Sequence, residues 1–484
     1  MRLVVIVLLG VLVGLLCLVL PTRWARRATV GAALISLALA ISLVPEVSNA
    51  PVRFGFLRVD ALSLIFVLAT AFVYCCAAVY VLGYLSRAAP AGYQRRFLFG
   101  LNVFGWAMLC APLVDGLALL WVAIEITTVV SALMVAVDRT RPAAEAAWKY
   151  LLIASAGLGI GLFATIIIYH AGTSVYGVSY DLTLSQMVAA GGRLDPHATR
   201  LAFVLAVLGY GTKVGLAPVH TWLPDAHTEA PTPISAMLSG ALLAVSFYAV
   251  LRYVQITEPS IGPGFVRTVL LVFGLLSLII SAFSLLVQRD LKRLLAYSSI
   301  EHMGLLCVGV GFGAPIALAG VLLHVLAHAA AKTNAFFGAG VIMHKYGTKD
   351  IAAIRGGLDK LPWTGPLLVA SFVALCAFPP FGLFRSEFMI VSGGISGATP
   401  AVVIVTVALI TLAFVGLIRT TTNTMFVPAR PGSSAAALER SEPNGWMIVP
   451  MIAGIGVLIM LGIHPPAQMM TLLSEAVREF GGLR

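Results

Sequence analysis

The chain has 484 residues, 60% of them hydrophobic and 11% charged, which is more apolar surface than a water-soluble domain needs. Its net charge of +11 comes from basic residues scattered through short segments, with no basic stripe and no aromatic-interleaved patch, so nucleic-acid binding is excluded. Six cysteines (Cys17, Cys75, Cys76, Cys110, Cys307 and Cys376) sit in apolar stretches without C-x-x-C spacing. They read as small core fillers and not as an iron–sulfur or zinc framework.

Roughly 20 consecutive apolar residues cross a bilayer, and such runs recur from end to end. About fourteen transmembrane helices are predicted, at 3–20, 28–45, 61–82, 97–114, 117–137, 146–170, 200–219, 233–254, 266–287, 294–312, 315–343, 364–392, 401–425 and 446–463. The expected fold class is an all-α polytopic membrane protein, a single integral membrane domain over 1–484. The first run has only Arg2 before it, three arginines after it and no small-residue cleavage site, so it reads as an uncleaved helix and not as a signal peptide. With the N-terminus outside, loops on the cytoplasmic side hold about 18 Lys/Arg against about 9 outside. The clusters Arg23/Arg26/Arg27, Arg87/Arg95/Arg96, Arg289/Lys292/Arg293 and Lys345/Lys349/Arg355/Lys360 all fall on that side. A multi-pass protein of the inner (cytoplasmic) membrane with both termini outside is the expectation.

Along the chain, Glu125 lies in "LLWVAIEITTVVSALM" with no sequence neighbour to pair with it. Gly157/Gly161 and Gly309/Gly313 read as sites of close helix packing. "GVGFGA" (309–314) fits G-x-G-x-x-A only on paper, because it ends an apolar helix instead of opening one after a strand. The seventh span is broken at "GYGTKVGLAPVH", where Lys213 is surrounded by Gly209, Gly211, Gly215 and Pro218. His220, Asp225, His227 and Glu229 follow in "HTWLPDAHTEAP" and read as capping and stapling a loop at the membrane face; Asp225 and Glu229 could also shape a proton exit.

"QRDLKRLLAYSSIEHMG" (288–304) starts a helix with Lys292 and Arg293 expected to face headgroups and Glu301 and His302 deeper in. His324, His328 and Lys332 are spaced i, i+4, i+8, on one helix face about 6 Å apart along the axis. The two histidines could ligate zinc, but no third ligand is evident, and no metal or cofactor site is expected. The twelfth span is broken by Pro379, Pro380 and Gly382 just before Glu387, for which Arg385 is a candidate partner. Tyr210, Ser239, Ser281 and Thr333 could add hydroxyls.

Interrupted helices at matching places in two halves point to a transport site. Helices 4–8 (97–254) and 9–13 (266–425) form two sets of five, each with its broken helix (7 and 12) fourth. Because the number per set is odd, the copies would be inverted in the membrane. A charge at mid-membrane costs roughly 2.5–3.5 kcal/mol on insertion scales. One static ion pair would need one partner, whereas a row of Glu, Lys and His on separate helices is what a proton relay requires. In that reading a Glu125–Lys213 pair keeps Lys213 protonated, and the broken backbone admits water.

At these residues the sequence resembles the antiporter-like subunits of respiratory complex I, Mrp-type antiporters and group 4 membrane-bound hydrogenases. The resemblance rests on "K-x-x-x-x-P-x-H-x-W-L-P-D-A-H-x-x-A-P-T-P" at 213–233, "DLKRLLAYSSIEHMG" and "HVLAHAAAKTNAFFGAG". It implies fourteen helices with two inverted repeats, and a relay through Glu125, Lys213, His324, His328, Lys332 and Glu387. His220, Asp225, His227, Glu229, Glu301, His302 and Arg385 would serve as secondary relay or access groups. "PPFGLFRSEFMIV" looks most like the F component of hydrogenase-4-type complexes. That implies a non-redox, proton-conducting subunit with no cofactor or catalytic centre of its own. Its partners would be other membrane subunits, a peripheral redox arm and lipids. A Mrp-like sodium/proton antiporter subunit and an NADH-quinone oxidoreductase M/N-type subunit are the alternatives. Many relatives carry a lysine about 31 positions after the first broken-helix lysine, where this chain has Ala244, so hydroxyls such as Ser239 and Ser246 or water would have to bridge the halves. The long lateral helix of the L-type subunit is not expected after "TLLSEAVREFGGLR".

Overall fold

Apolar runs in lipid fold as helices because each backbone N–H and C=O must be satisfied within its own segment. In the computed structural model, which describes residues 1–397 and 399–480, the chain follows that rule. The elements used below are α1 (Arg2–Val19), α2 (Thr22–Ser42), β1 (Val52–Phe54), β2 (Leu57–Val59), α3 (Ala61–Tyr84), α4 (Ala91–Cys110), α5 (Leu117–Val135) and α6 (Arg141–Tyr176). Then come α7 (Pro196–Val214), α8 (Trp222–Glu229), α9 (Thr232–Ile261), α10 (Pro263–Val287), α11 (Leu291–Gly311) and α12 (Pro315–Tyr346). The last are α13 (Thr364–Leu375), α14 (Gly382–Ser396), α15 (Pro400–Thr421), α16 (Val449–Ile463) and α17 (Ala467–Glu479).

Among the described residues 12 helices are long and apolar enough to cross a membrane. The two predicted spans outside that set, 200–219 and 364–392, are the two broken ones, and each is divided into shorter helices (α7/α8 and α13/α14). The small antiparallel hairpin β1–β2 was not predicted.

Burial sorts the helices. α3, α9, α11 and α12 are covered nearly all round, whereas α1, α10, α15 and α16 bury only one side. Arg252, His302, His324, His328 and Lys332 are buried on these enclosed helices, and Lys213 is buried at the end of α7. Close packing at Gly157 and Gly161 is as expected. A Cβ on Gly209 of α7 would stand 2.5 Å from the Gly161 nitrogen of α6, so the two backbones touch there. Gly313 has a different reason. It ends α11 at φ +69 with the Arg267 guanidinium folded over it, a place any side chain would fill.

Lys292 does not face headgroups. It is buried, and its Nζ donates to the Thr228 carbonyl at 3.1 Å and to that of Ala230, satisfying carbonyls left open at the end of α8. Arg293 does reach outward, to Asp225 at 2.7 Å.

A second buried charge network, absent from the sequence reading, ties α3, α9 and α17 together. Asp60 caps α3 through Ser63 N–H at 2.9 Å, accepts from Arg252 of α9, and meets Arg58 at 3.0 Å. Glu479 of α17 accepts from the Ala61 and Leu62 N–H groups at 3.0 and 3.1 Å. Residues 481–484, the end of "TLLSEAVREFGGLR", lie outside the described residues.

Candidate functional site: a buried row of ionisable side chains

α7 ends one residue after Lys213 because Gly215 turns left-handed at φ +84, and its N–H and that of Leu216 return to the Gly211 carbonyl. The cation therefore sits at the negative end of a helix dipole, inside the protein. Trp222 of α8 pins the break by donating to the Thr212 carbonyl at 2.7 Å. Lys213 Nζ donates to Thr128 Oγ1 at 2.9 Å and to the Tyr150 hydroxyl, and it lies 4.6 Å from the Tyr150 ring centre.

Glu125 does not close an ion pair with Lys213. Its Oε1 accepts from Ser155 at 2.7 Å and its Oε2 has no partner, though its charge acts on Lys213 through space. The two side chains expected to pair are therefore not in contact. Thr128, one turn along α5, takes the position at Lys213 that the carboxylate was expected to hold.

The second half is a tighter cluster. His302 of α11 faces His324 of α12, Nδ1 to Nε2 at 3.1 Å, and His324 Nδ1 meets Ser386 Oγ of α14 at 3.0 Å. Glu387 Oε1 lies 3.9 Å from His302 Nδ1. His328 packs edge-on to His302 at 5.2 Å between ring centres, and both its nitrogens lack partners. Lys332 donates to the Leu295 carbonyl at 3.1 Å, and Glu301, also buried, lies on the same helix as that carbonyl. Glu301 and His302, expected as secondary groups, are thus buried beside this cluster.

Arg385 does not partner Glu387. It is half-buried, and no ion pair joins the two among the described residues. The ligand atoms of His302, His324 and Glu387 lie within 4.8 Å of one another, so the fold supplies the further donors that His324 and His328 lacked in sequence.

Between the halves stands α9. Ala244 is buried there and brings no charge. A π-helical turn over Leu238–Leu242 precedes it, a distortion frequent at functional sites. From this turn Ser239 Oγ meets Ser299 Oγ at 2.7 Å, and Ser299 donates at 3.0 Å to Leu295, the carbonyl that also holds Lys332. Gly240 lets α9 approach α12, since a Cβ there would be 2.6 Å from Thr333 Oγ1. Ser246 and Ser281 bond within their own helices, and the Tyr210 and Thr333 hydroxyls are unpartnered.

At the membrane face, Asp225 pairs with Arg293 at 2.7 Å and Glu229 with Lys349 at 2.8 Å, the stapling expected of that segment, although it folds as a helix and not a loop. A cavity of about 180 Å³ lies against Glu145, Lys149, Asp225, Glu229 and Arg293. His220 is also buried, with Nδ1 unpartnered. His227 does more than staple. It is fully buried between Trp222 (6.1 Å) and Phe336 of α12 (5.8 Å), with Nδ1 on the Leu223 carbonyl and Nε2 unpartnered.

Sequence reasoning missed Tyr150, Thr128, Ser299 and Ser386. Each is an ordinary helix residue, and only the contact with a polar side chain on another helix marks it.

The transmembrane family described as NADH:quinone oxidoreductase/Mrp antiporter matches residues 115–413, which spans both breaks and the histidine cluster. The chain belongs to this family. It is 33% identical over 427 residues, 86% of each chain, to a hydrogenase-4 component F homolog of Methylacidiphilum infernorum (isolate V4). It is 30% identical to NADH-quinone oxidoreductase subunit N of Desulforudis audaxviator (strain MP104C), over 86% of this chain and 83% of that one. A chain of the membrane-bound sulfane sulfur reductase, an archaeal respiratory membrane complex, shares the fold with a TM-score of 0.87 at 19% identity, covering 99% of this chain and 98% of that one. The protein is an antiporter-like membrane subunit of the group that includes complex I, Mrp and group 4 hydrogenases.

Proposed function

We propose that this subunit conducts protons for a multisubunit membrane oxidoreductase of the hydrogenase-4 or formate hydrogenlyase type. It couples a partner's redox-driven change to charge movement and carries no redox centre itself. The observation that carries this reading is the row of enclosed groups on separate helices: Lys213 with Tyr150 and Thr128, then Lys332 with Glu301, then His328, His302, His324, Ser386 and Glu387. Moving one charge against 100 mV takes about 2.3 kcal/mol, so each station must hold and release its proton as neighbouring charges change.

One end of the path is the Asp225–Glu229 face, on the cytoplasmic side if both termini lie outside. Lys213 exchanges its proton through the broken end of α7. His227 and the Ser239–Ser299 pair stand in for the missing lysine at Ala244, and Glu387 is the last station. Glu125 sets whether Lys213 keeps its proton. Its position also supports a neighbouring subunit. The residue is only half-buried, on a side of α5 where Val122 is 44% and Val129 45% exposed, and a carboxylate facing lipid at that depth is costly unless covered.

The test is reconstitution of the whole complex in vesicles with Lys213→Met and Glu125→Gln. Proton uptake should stop in the first and fall in the second while the partner's redox centres stay loaded. Unaltered uptake in both refutes the relay. If uptake of protons required sodium on the opposite side, the subunit would be a Mrp-like exchanger instead. The cluster's imidazoles and lysine are poor ligands for sodium, which prefers oxygen, and this favours protons.

A further inference from the structure

Four arginines converge far from the relay. Arg23, Arg26 and Arg27 of α2 and Arg87 after α3 line a cavity of about 770 Å³, closed on the other side by Gln94 of α4 and by Trp446 before α16. Among the described residues no acidic side chain lines it. None of the four arginines forms an ion pair among the described residues. Like charges gathered without a counterion repel one another, and an anion in the cavity relieves that.

The site is built, not incidental. Arg26 is only 9% exposed and is held through Nη2 by Gln94 Oε1 at 2.7 Å and by the Ser86 carbonyl at 3.3 Å. Its guanidinium is fixed before any ligand arrives, which suits an oxygen-rich planar or tetrahedral anion.

The surroundings name the kind of anion. Trp24 and Trp446 are about half exposed beside the ends of spanning helices, a position where aromatic rings mark a membrane interface, and Arg23 and Arg27 stack over Trp24 at 5.8 and 5.1 Å. An adjoining recess of about 550 Å³ shares Arg87, Asn444 and Trp446 and adds Val449, which is 48% exposed. Next to it α16 presents Ile452, and the end of α1 presents Val19, both open to lipid. A phosphate in the arginine cavity would therefore have apolar helix surface beside it for attached acyl chains. We propose that this cavity binds the phosphodiester headgroup of an anionic glycerophospholipid, with its tails lying along α1 and α16. Basic pockets between helices at a membrane face have this chemistry.

The test uses the full-length protein purified in mild detergent, with bound lipid read by native mass spectrometry during titration with phosphatidylglycerol, diphosphatidylglycerol, phosphatidylethanolamine or inorganic phosphate. Anionic lipids should be retained and phosphatidylethanolamine should not. The variant Arg23→Gln/Arg87→Gln, which leaves Arg26 in place, should bind anionic lipid about tenfold to a hundredfold more weakly. The charge-retaining Arg23→Lys/Arg87→Lys variant should lose less, which separates lost charge from lost folding. Equal retention of phosphatidylethanolamine, or undiminished binding in the Gln variant, overturns the proposal. So does displacement of the lipid by millimolar inorganic phosphate, which would make the cavity a site for free anions. None of these readouts depends on proton movement.

Discussion

Removing a single oxygen, in Tyr150→Phe, tests how Lys213 exchanges its proton. The Tyr150 ring stacks on Trp222 at 4.3 Å and lies 4.6 Å from Lys213 Nζ. Phenylalanine keeps both contacts, so the packing of α6 against α8 survives. Ser131, which meets the Tyr150 hydroxyl at 2.7 Å, retains its bonds to the Thr127 and Thr128 carbonyls. The loss is confined to the oxygen that accepts from Lys213. A hydrogen bond to a charged group contributes about 1.5–3 kcal/mol, which corresponds to roughly 10- to 150-fold in a step that depends on it. Proton uptake in vesicles containing the reconstituted complex, followed by a pH-sensitive dye alongside partner turnover, should fall by that factor. Lys213→Met should abolish it. If Tyr150→Phe pumps as wild type while Lys213→Met does not, Tyr150 is packing and the hydroxyl has no part in the transfer.

The Ser239–Ser299 contact makes a second prediction: Ser239→Ala should slow uptake about fivefold, the equivalent of one net hydrogen bond of about 1 kcal/mol. Ala244→Lys should restore it, and failure of the rescue would place Ala244 off the path. Arg252→Met leaves Asp60 buried with Arg58 alone, so thermal unfolding in detergent should show a loss near the lower end of the roughly 3–5 kcal/mol typical of a broken buried pair; an unchanged melting temperature refutes the network. Burial first, then the charge of Asp60, pushes the Glu479 carboxyl up from 4.5 to about 7. Between those values the unfolded chain gives up the proton before the folded one does. Stability should therefore decline as pH rises from about 4.5 to about 7, and Glu479→Gln should flatten that slope. An identical slope in the variant would remove Glu479 as its source.

Some of this was legible from the chain alone. Hydropathy locates the spans because bilayer thickness sets their length, and the breaks are located by Pro218 and Pro379–Pro380, which lack the N–H a helix needs, with Gly215 supplying the left-handed turn. Lys213, His324, His328, Lys332 and Glu387 stand out because a charge or imidazole in an apolar run is costly. Partnership was not legible. Glu125 and Lys213 looked like a pair and are not in contact, Arg385 does not reach Glu387, and Lys292 turns inward to carbonyls. A serine hydroxyl on a membrane helix normally bonds its own backbone, and a tyrosine reads as an ordinary aromatic, so Ser299 and Tyr150 carry no mark in sequence.

The sequence by itself determined that Lys213, His324, His328, Lys332 and Glu387 are ionisable groups inside apolar runs and where helices must break, because both follow from local composition and the cost of leaving water. Only the tertiary structure decided which groups touch. Helix rotation and crossing are set by close packing at positions such as Gly161 against Gly209, and a small rotation there moves a side chain from one neighbour to another. For the same reason, the four arginines that read as scattered orientation signals converge on one cavity.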